Sequence, residues 1–290
     1  MIRCLGVFRE TTNSPNREHD DTLIMKLVTE ELSALGAETH LIEPCNIGLV
    51  KPQEWDAVIP MCENPPALEV IKSWGDKTLV VNPAESVINC YRIHMTPLLQ
   101  ERDGLHPQTE IRQLKSLPGE PPEFARQGAW LKRGDVHNTC THDVVFVKRW
   151  RDCVKVKEDF ATRKIKDVVI QEHIAGDIIK FYGVGPFKWF GWFYHSPQDL
   201  GNYVFDKPLL ELCAGTAARA VGLEIYGGDA IITPEGRIYI IDINSWPSFA
   251  RVRDEVKIPI AKHIFQKAAK AAKEKQNENR RPRKTRNSLA

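Results

Sequence analysis

The sequence predicts a small parallel α/β unit at the N-terminus, followed by a longer region in which strands dominate. Three observations predict this. Between residues 2 and 83, short apolar strands alternate with helical segments, the pattern of a parallel sheet covered by helices. From residue 129 onward, five strand-like segments follow one another with few helical signals. Late in the chain, YGGDAIIT and RIYIIDIN flank the turn PEG at hairpin distance,. A length of 290 residues suits roughly two domains,.

In order, IRCLGVF (residues 2–8) reads as a strand, and TTNSPNREHDD as a turn-rich loop. A helix follows, with Leu23, Leu27, Leu32 and Leu35 at near-helical spacing and Gly36 as its stop,. ETHLIEP, WDAVIPMC and KTLVVNP read as three further strands, with the helical PALEVIKSWG between the last two. This unit is placed at residues 1–87. SVINCYRIHMTPLLQERDG reads as one helix leading out of it, LHPQTEIRQL as a loop entering a strand, and SLPGEPPEFARQG as a surface loop or short helix. The strands AWLKRG, DVVFVKR, DVVIQEHI, DIIKFYGVG and FKWFGWFYH come next. The helix LLELCAGTAARAVGL, the hairpin and a last helix, IPIAKHIFQKAAKAAKEK, complete the chain. No internal repeat is visible.

Composition narrows the classes. Hydrophobic residues at 42% and charged residues at 27% are globular values and argue against wholesale disorder or a fibrous chain,. No run approaches the length of a membrane span, and MIRCLGVFRETT lacks the apolar core of a secretory signal,. Seven scattered cysteines without a CxxC pair fit a reducing cytoplasm better than a disulfide framework,. Net charge is +2, but the segment from Lys267 carries nine Lys/Arg against two Glu, leaving the body mildly acidic. The basic end, placed at residues 268–290, is expected to be disordered and is the only part expected to meet nucleic acid or an anionic surface.

The hairpin holds the most informative residues. Asp229 lies on its first strand, and Asp242 and Asn244 on its second. Period-2 geometry puts Asp242 and Asn244 on one face, and the hairpin can bring Asp229 beside them. Such an all-oxygen set suits Mg²⁺ shared with nucleotide phosphates; the alternative is a solvated edge face. Lys132 and Lys180, each within an apolar strand, are either snorkelling edge residues or phosphate point charges. VVIQEHIAGD (residues 168–177) could offer backbone groups to a purine edge, whereas His173 alone reads as a surface or packing residue.

Taken in this order, the segments resemble the ATP-grasp superfamily over about residues 1–265. The elements are the N-terminal α/β domain, the lysine of AWLKRG, the hinge VVIQEHIAGD, the basic strand IKFYGVG, and the Asp-x12-Asp-x-Asn cluster followed by SWP. The last spacing is similar to the endings of D-alanine–D-alanine ligases, RimK-like ligases, glutathione synthetases and inositol phosphate kinases. The resemblance implies an ATP-grasp fold of two α+β subdomains at residues 88–267, divided at about 105–170 and 171–267, with ATP and Mg²⁺ (or Mn²⁺) between them. It implies that Lys132 and Arg92 contact the nucleotide. Gln171, Glu172 and Ile174 would form the adenine hinge, and Asp177 would face the ribose. Asp229, Asp242 and Asn244 would hold the metal, with Lys180 near the transferred phosphoryl and Arg251 and Arg253 on the substrate anion.

Three departures accompany the likeness. The loop RGDVHNTCTHD has one glycine where many members have several, so a phosphate grip would use His137, Asn138 and Thr139 or fewer backbone groups. Arg92 stands for a lysine, and Asp242 for the more usual Glu. The activity implied is an ATP-dependent ligase joining a carboxylate to an amine, with a polyol- or inositol-phosphate kinase and a non-catalytic nucleotide-binding module as alternatives. The expected partner is a small-molecule or peptide substrate. Arg17 and His19 are expected to face it, because open α/β sheets bind ligands at their strand ends. The aromatic strand FKWFGWFYH needs cover on both faces, from core or from a second copy in a homodimer; core is favoured.

Overall fold

The computed structural model describes residues 1–13, 17–136, 140–185, 187–196 and 201–280. His137, Asn138 and Thr139, and the basic tail beyond residue 280, lie outside the described residues.

The N-terminal strands are β1 (Ile2–Val7), β2 (Ala37–Ile42), β3 (Ala57–Pro60) and β4 (Leu79–Val80), in the order β2-β1-β3-β4 and all parallel. The central β1 is apolar on both faces, as a strand with helices above and below must be,. Helix α1 (Glu18–Ala34) covers one face, with Ile24, Met25, Val28 and Leu32 buried. It begins ahead of its leucine periodicity. Glu18, Asp20 and Asp21 fill its first turn, where carboxylates meet the positive end of the helix dipole,. Helices α2 (Pro65–Ser73) and α3 (Ala84–Ile88) cover the other face.

The single helix expected over residues 86–104 is two helices. Tyr91 is extended, and it separates α3 from α4 (Arg92–Gln100). Its hydroxyl donates to the Glu63 carbonyl at 2.6 Å, a tertiary bond that local helix propensity cannot anticipate. The break places Arg92 at the first turn of α4.

The second sheet is antiparallel, in the order β5-β8-β6-β7, from β5 (Thr109–Gln113), β6 (Ala129–Arg133), β7 (Val144–Val147) and β8 (Asp167–Glu172). Helix α5 (Cys153–Thr162) lies on its outer face, in a region read as strands alone. Its buried Cys153, Val156 and Phe160 follow helical spacing, a signal diluted by the four charged residues among them. The third sheet, β10-β9-β11-β12, is antiparallel, from β9 (Asp177–Val184), β10 (Trp189–Tyr194), β11 (Ile225–Ile232) and β12 (Ile238–Ser245). Helix α6 (Lys207–Val221) covers one of its faces; Asp206 caps it and Gly222, in the left-handed region, ends it,. The half-buried aromatic strand β10 packs Trp189 and Phe193 into one core and Phe190, Trp192 and Tyr194 into another.

Helix α7 (Arg253–Arg280) returns to the N-terminal sheet and packs against α1. Disorder expected from residue 268 is corrected over 268–280, where the chain is helical. Ala268 is fully buried with Ile260, Ala261 and Ile264. The helix expected through Lys275 is present, and it is the disorder boundary at residue 268 that lay too early.

Asn82, fully buried, joins the first and third sheets. Its amide donates to the Ile225 carbonyl (2.7 Å) and Ser245 Oγ (2.8 Å), and its oxygen accepts from the Glu224 and Ile225 amides. Trp246 Nε1 adds a bond to the Val81 carbonyl at 3.1 Å. Among the described residues no helix is long and apolar enough to cross a membrane.

Candidate functional site

Antiparallel register sets the site. Phe193 pairs with Lys180, Lys180 with Asp229, and Asp229 with Asp242, so one row crosses all four strands of the third sheet on the face opposite α6,. Two residues along, Tyr182 pairs with Gly227 and Gly227 with Asn244. Asp229, Asp242, Asn244 and Lys180 therefore project together, as the alternation implied. They floor a cavity of about 850 Å³ whose other wall comes from the N-terminal unit, including Arg9, Asn13, Arg17, Asp20, Asp21 and Glu63. Lys180 Nζ lies 2.8 Å from Asp229 Oδ1, and Arg92 Nη2 lies 3.0 Å from Asp242 Oδ2.

The hairpin register slips between Asp229 and Ala230, where Ala230 pairs with Ile240 and leaves Ile241 as an extra residue. Such a bulge re-aims backbone groups. The Ile240 carbonyl meets His106 Nδ1 at 2.7 Å, and the Ile241 carbonyl meets Lys132 Nζ at 3.4 Å. Lys132 also donates to Gln171 Oε1 at 2.6 Å, and Gln171 Nε2 lies 3.2 Å from His106 Nε2. All three side chains are buried. An ammonium can only donate, so Gln171 presents its oxygen to Lys132 and its NH₂ to His106. His106 Nε2 must then accept, and its Nδ1–H donates to Ile240. Burial holds this imidazole neutral, pushing it down to about 4,. Burial first, then Arg92, lowers Lys132 to about 8 against the opposing pull of Asp242 and Asp229. His106 escaped the sequence reading because its partners come from 65 and 134 positions away. Lys132 and Arg92 thus sit behind Asp242, between the second and third sheets.

The remaining expected residues divide. Arg251 lines the cavity, its guanidinium 4.4 Å above the Phe193 ring. Arg17 lines it too and donates to Ser248 Oγ at 3.1 Å, whereas His19, exposed on the first turn of α1, does not. Arg253 does not line the cavity: its guanidinium is held at 2.6 Å by Asp20, which does. Asp177 does not line the cavity either. Buried at the start of β9, it accepts from Asn202 Nδ2 (2.9 Å) and the Tyr203 amide (3.1 Å), so it anchors a loop. Glu172 is tied to Gln108 through backbone and side chain, while Ile174 is half-buried in the connector between β8 and β9. Arg9 was not foreseen. It bridges Glu63 (2.5 Å) and Asp21 (3.4 Å) and donates to the Trp246 carbonyl, locking the cavity wall to the segment after β12.

Among the described residues no three His, Cys, Asp or Glu side chains gather as a closed metal cage. Two carboxylates and one amide oxygen on one face do fit Mg²⁺, which keeps waters and shares itself with phosphate oxygens. Both carboxylates already face cations, so the set is held in place without metal.

This architecture is the ATP-grasp fold: a parallel α/β unit, then two α+β layers whose facing sheets bring together a lysine, a hinge and an acidic hairpin. A D-alanine–D-alanine ligase from Bacillus anthracis complexed with ATP superposes with a TM-score of 0.68 at 12% identity, covering 95% of this chain and 100% of its own. A RimK domain ATP-grasp protein from Sphaerobacter thermophilus gives 0.66 at 16%, covering 90% and 99%. The ATP-grasp ligase PsnB complexed with minimal precursor gives 0.61 at 14%, covering 92% and 99%. No protein-family model matches the sequence. No curated protein matches it either.

Proposed function

We propose that this chain is an ATP- and Mg²⁺-dependent ligase that joins a carboxylate to an amine through an acyl-phosphate intermediate. One observation carries the reading. Lys180, Asp229, Asp242 and Asn244 share a face at the floor of a cavity large enough for a nucleotide tail and a small acid,. The solved neighbours named as ligases share the fold that builds this face.

In this reading Asp229, Asp242 and Asn244 hold Mg²⁺, which neutralises charge on the phosphates. Lys180 supplies a point charge beside the transferred phosphoryl, and Lys132 reaches the inner phosphates. Arg92 fixes the Asp242 carboxylate. The backbone of Glu172 and Ile174 receives the adenine edge. A substrate carboxylate oxygen attacks the γ-phosphorus, the bond to the ADP oxygen breaks, and an amine then displaces phosphate from the acyl carbon. Catalysis is positioning and electrostatics.

The test is purified protein with Mg-ATP against a matrix of acids and amines, read by ADP, phosphate and product mass. ADP and free phosphate appearing together only when both co-substrates are present, and lost with Asp242→Asn, are expected. Phosphate transferred to a hydroxyl without release would favour the polyol kinase, which the aspartate at position 242 also suits. No turnover with any pair would leave a nucleotide-binding module.

A further inference from the structure

Every carboxylate on the cavity wall has a cation within 4 Å. Asp20 faces Arg253, Asp21 and Glu63 share Arg9, Asp229 faces Lys180, and Asp242 faces Arg92. Two more guanidiniums line the same cavity, and among the described residues neither faces a carboxylate. Arg17 meets only the Ser248 hydroxyl, and Arg251 only the face of Phe193. Neither contact neutralises a charge.

These arginines come from opposite ends of the chain, one at the N-terminus of α1 and the other just after β12. Both line the cavity together with Phe193 and Tyr182. Burial raises its phenol, and Arg17, Asp229 and Arg251 all act on it. Tyr182 stands two residues from Lys180 on the same face. Beside it, Gly227 leaves the floor bare: a Cβ there would lie 2.7 Å from Tyr182 Cδ1 and 2.8 Å from Pro247 Cγ. Two like charges at the mouth of one pocket raise the potential there and draw an anion. Guanidinium forks match the two oxygens of a carboxylate.

We propose that Arg17 and Arg251 form a second anion site beside the reacting one, and that the acid substrate is a small dicarboxylate. One carboxylate is held by the two guanidiniums, and the other is presented to Lys180. Only the role of the second carboxylate rests on the ligase reading. Tyr182 lies two residues, roughly 6.6 Å, along β9 from Lys180,, and the titration series sets the length of the diacid.

The experiment is calorimetric titration of the full chain with the diacid series from malonate to adipate and with the matching monoacids, for wild type, Arg17→Gln and Arg251→Gln. Circular dichroism confirms that each variant is folded. At least one diacid should bind wild type about tenfold more tightly than its monoacid, a single lost charge-assisted contact being worth at least that. The gap should shrink in both variants. Equal binding of every diacid and its monoacid by wild type, or a gap that survives both substitutions, overturns the proposal. Phosphoglycolate binding more tightly than every diacid would assign the site to phosphate and overturn the dicarboxylate class. Mg-ATP is titrated separately into wild type: absence of that binding defeats the ligase reading while the diacid gap still decides the anion site.

Discussion

Replacing His106 with Phe removes the bridge between the Ile240 carbonyl and the Gln171 amide without emptying the space. The buried Ile240 carbonyl loses this partner and the Gln171 amide keeps only Thr109 Oγ1, at 3.5 Å; at about 1–3 kcal/mol for a group left short, a loss of about 2–4 kcal/mol is expected at neutral pH,. The loss has a pH signature. Unfolded, the imidazole titrates near 6.5; folded, it does so at about 4. Between those values only the unfolded chain takes up the proton, so wild-type stability falls on acidification across that window, by roughly 3 kcal/mol in total. The Phe variant lacks that component, and the difference between the two proteins should narrow from neutral pH toward pH 4. His106→Asn, which can still donate to Ile240, should lie between them. Urea unfolding of the three proteins at several pH values measures this. Mg-ATP calorimetry should show weaker binding in the Phe variant, because Gln171 no longer fixes Lys132. Parallel stability curves for wild type and Phe variant across the window, or neutral-pH stabilities within about 0.5 kcal/mol, would refute the hydrogen-bond chain deduced here.

Other outcomes follow from the same geometry. Asp242→Asn removes the carboxylate facing the buried Arg92 and should cost about 3 kcal/mol by chemical denaturation while abolishing turnover,. Lys132→Met deletes a desolvated ammonium whose folded value is only about 8. The desolvation cost removed is offset by leaving Gln171 Oε1 and the Ile241 carbonyl without this donor, so the melting temperature should change little while Mg-ATP affinity drops about tenfold; a steep loss of stability would contradict this. Glu224 is raised by burial but more strongly lowered by bonds from His263 (2.6 Å) and Lys267, to about 2. That contribution is present above its ordinary 4.5 and is lost as pH falls toward 2. Because the group is partly solvated, Glu224→Gln should cost only about 1 kcal/mol at neutral pH, a gap that closes in acid.

The sequence showed most plainly what depends on strand periodicity. The parallel order of the first sheet follows from apolar strands separated by helices. The shared face of Asp242 and Asn244 follows from period 2, and Asp229 joins them because a short turn sets hairpin register. Most of what the sequence did not show depends on partners far away in the chain. Arg253 and Arg251 look alike in RVRD, yet Asp20 claims one of them. Asp177 sits at a suitable distance from the hinge, but a loop 25 residues later occupies it. The bulge at Ile241 leaves no compositional trace, and without it the carbonyl that receives Lys132 could not be foreseen. Helix α5 was missed for a local reason: its apolar stripe is one residue wide per turn and crowded by charge.

The bonds made by Asn82 and Trp246 determine which part of the molecule can travel. They fasten the N-terminal wall to the sheet bearing Asp229 and Asp242, so cavity wall and acidic floor form one block. Between that block and the β5-β8-β6-β7 layer, Arg92 on α4 donates to both the Arg133 carbonyl and Asp242, and Lys132 and His106 add bonds to β12. Any separation of the two would have to break the bonds of Lys132 and His106 to β12 while leaving those of Asn82 and Trp246 intact, with the short connector from Glu172 to Asp177 as the covalent link between the second and third sheets.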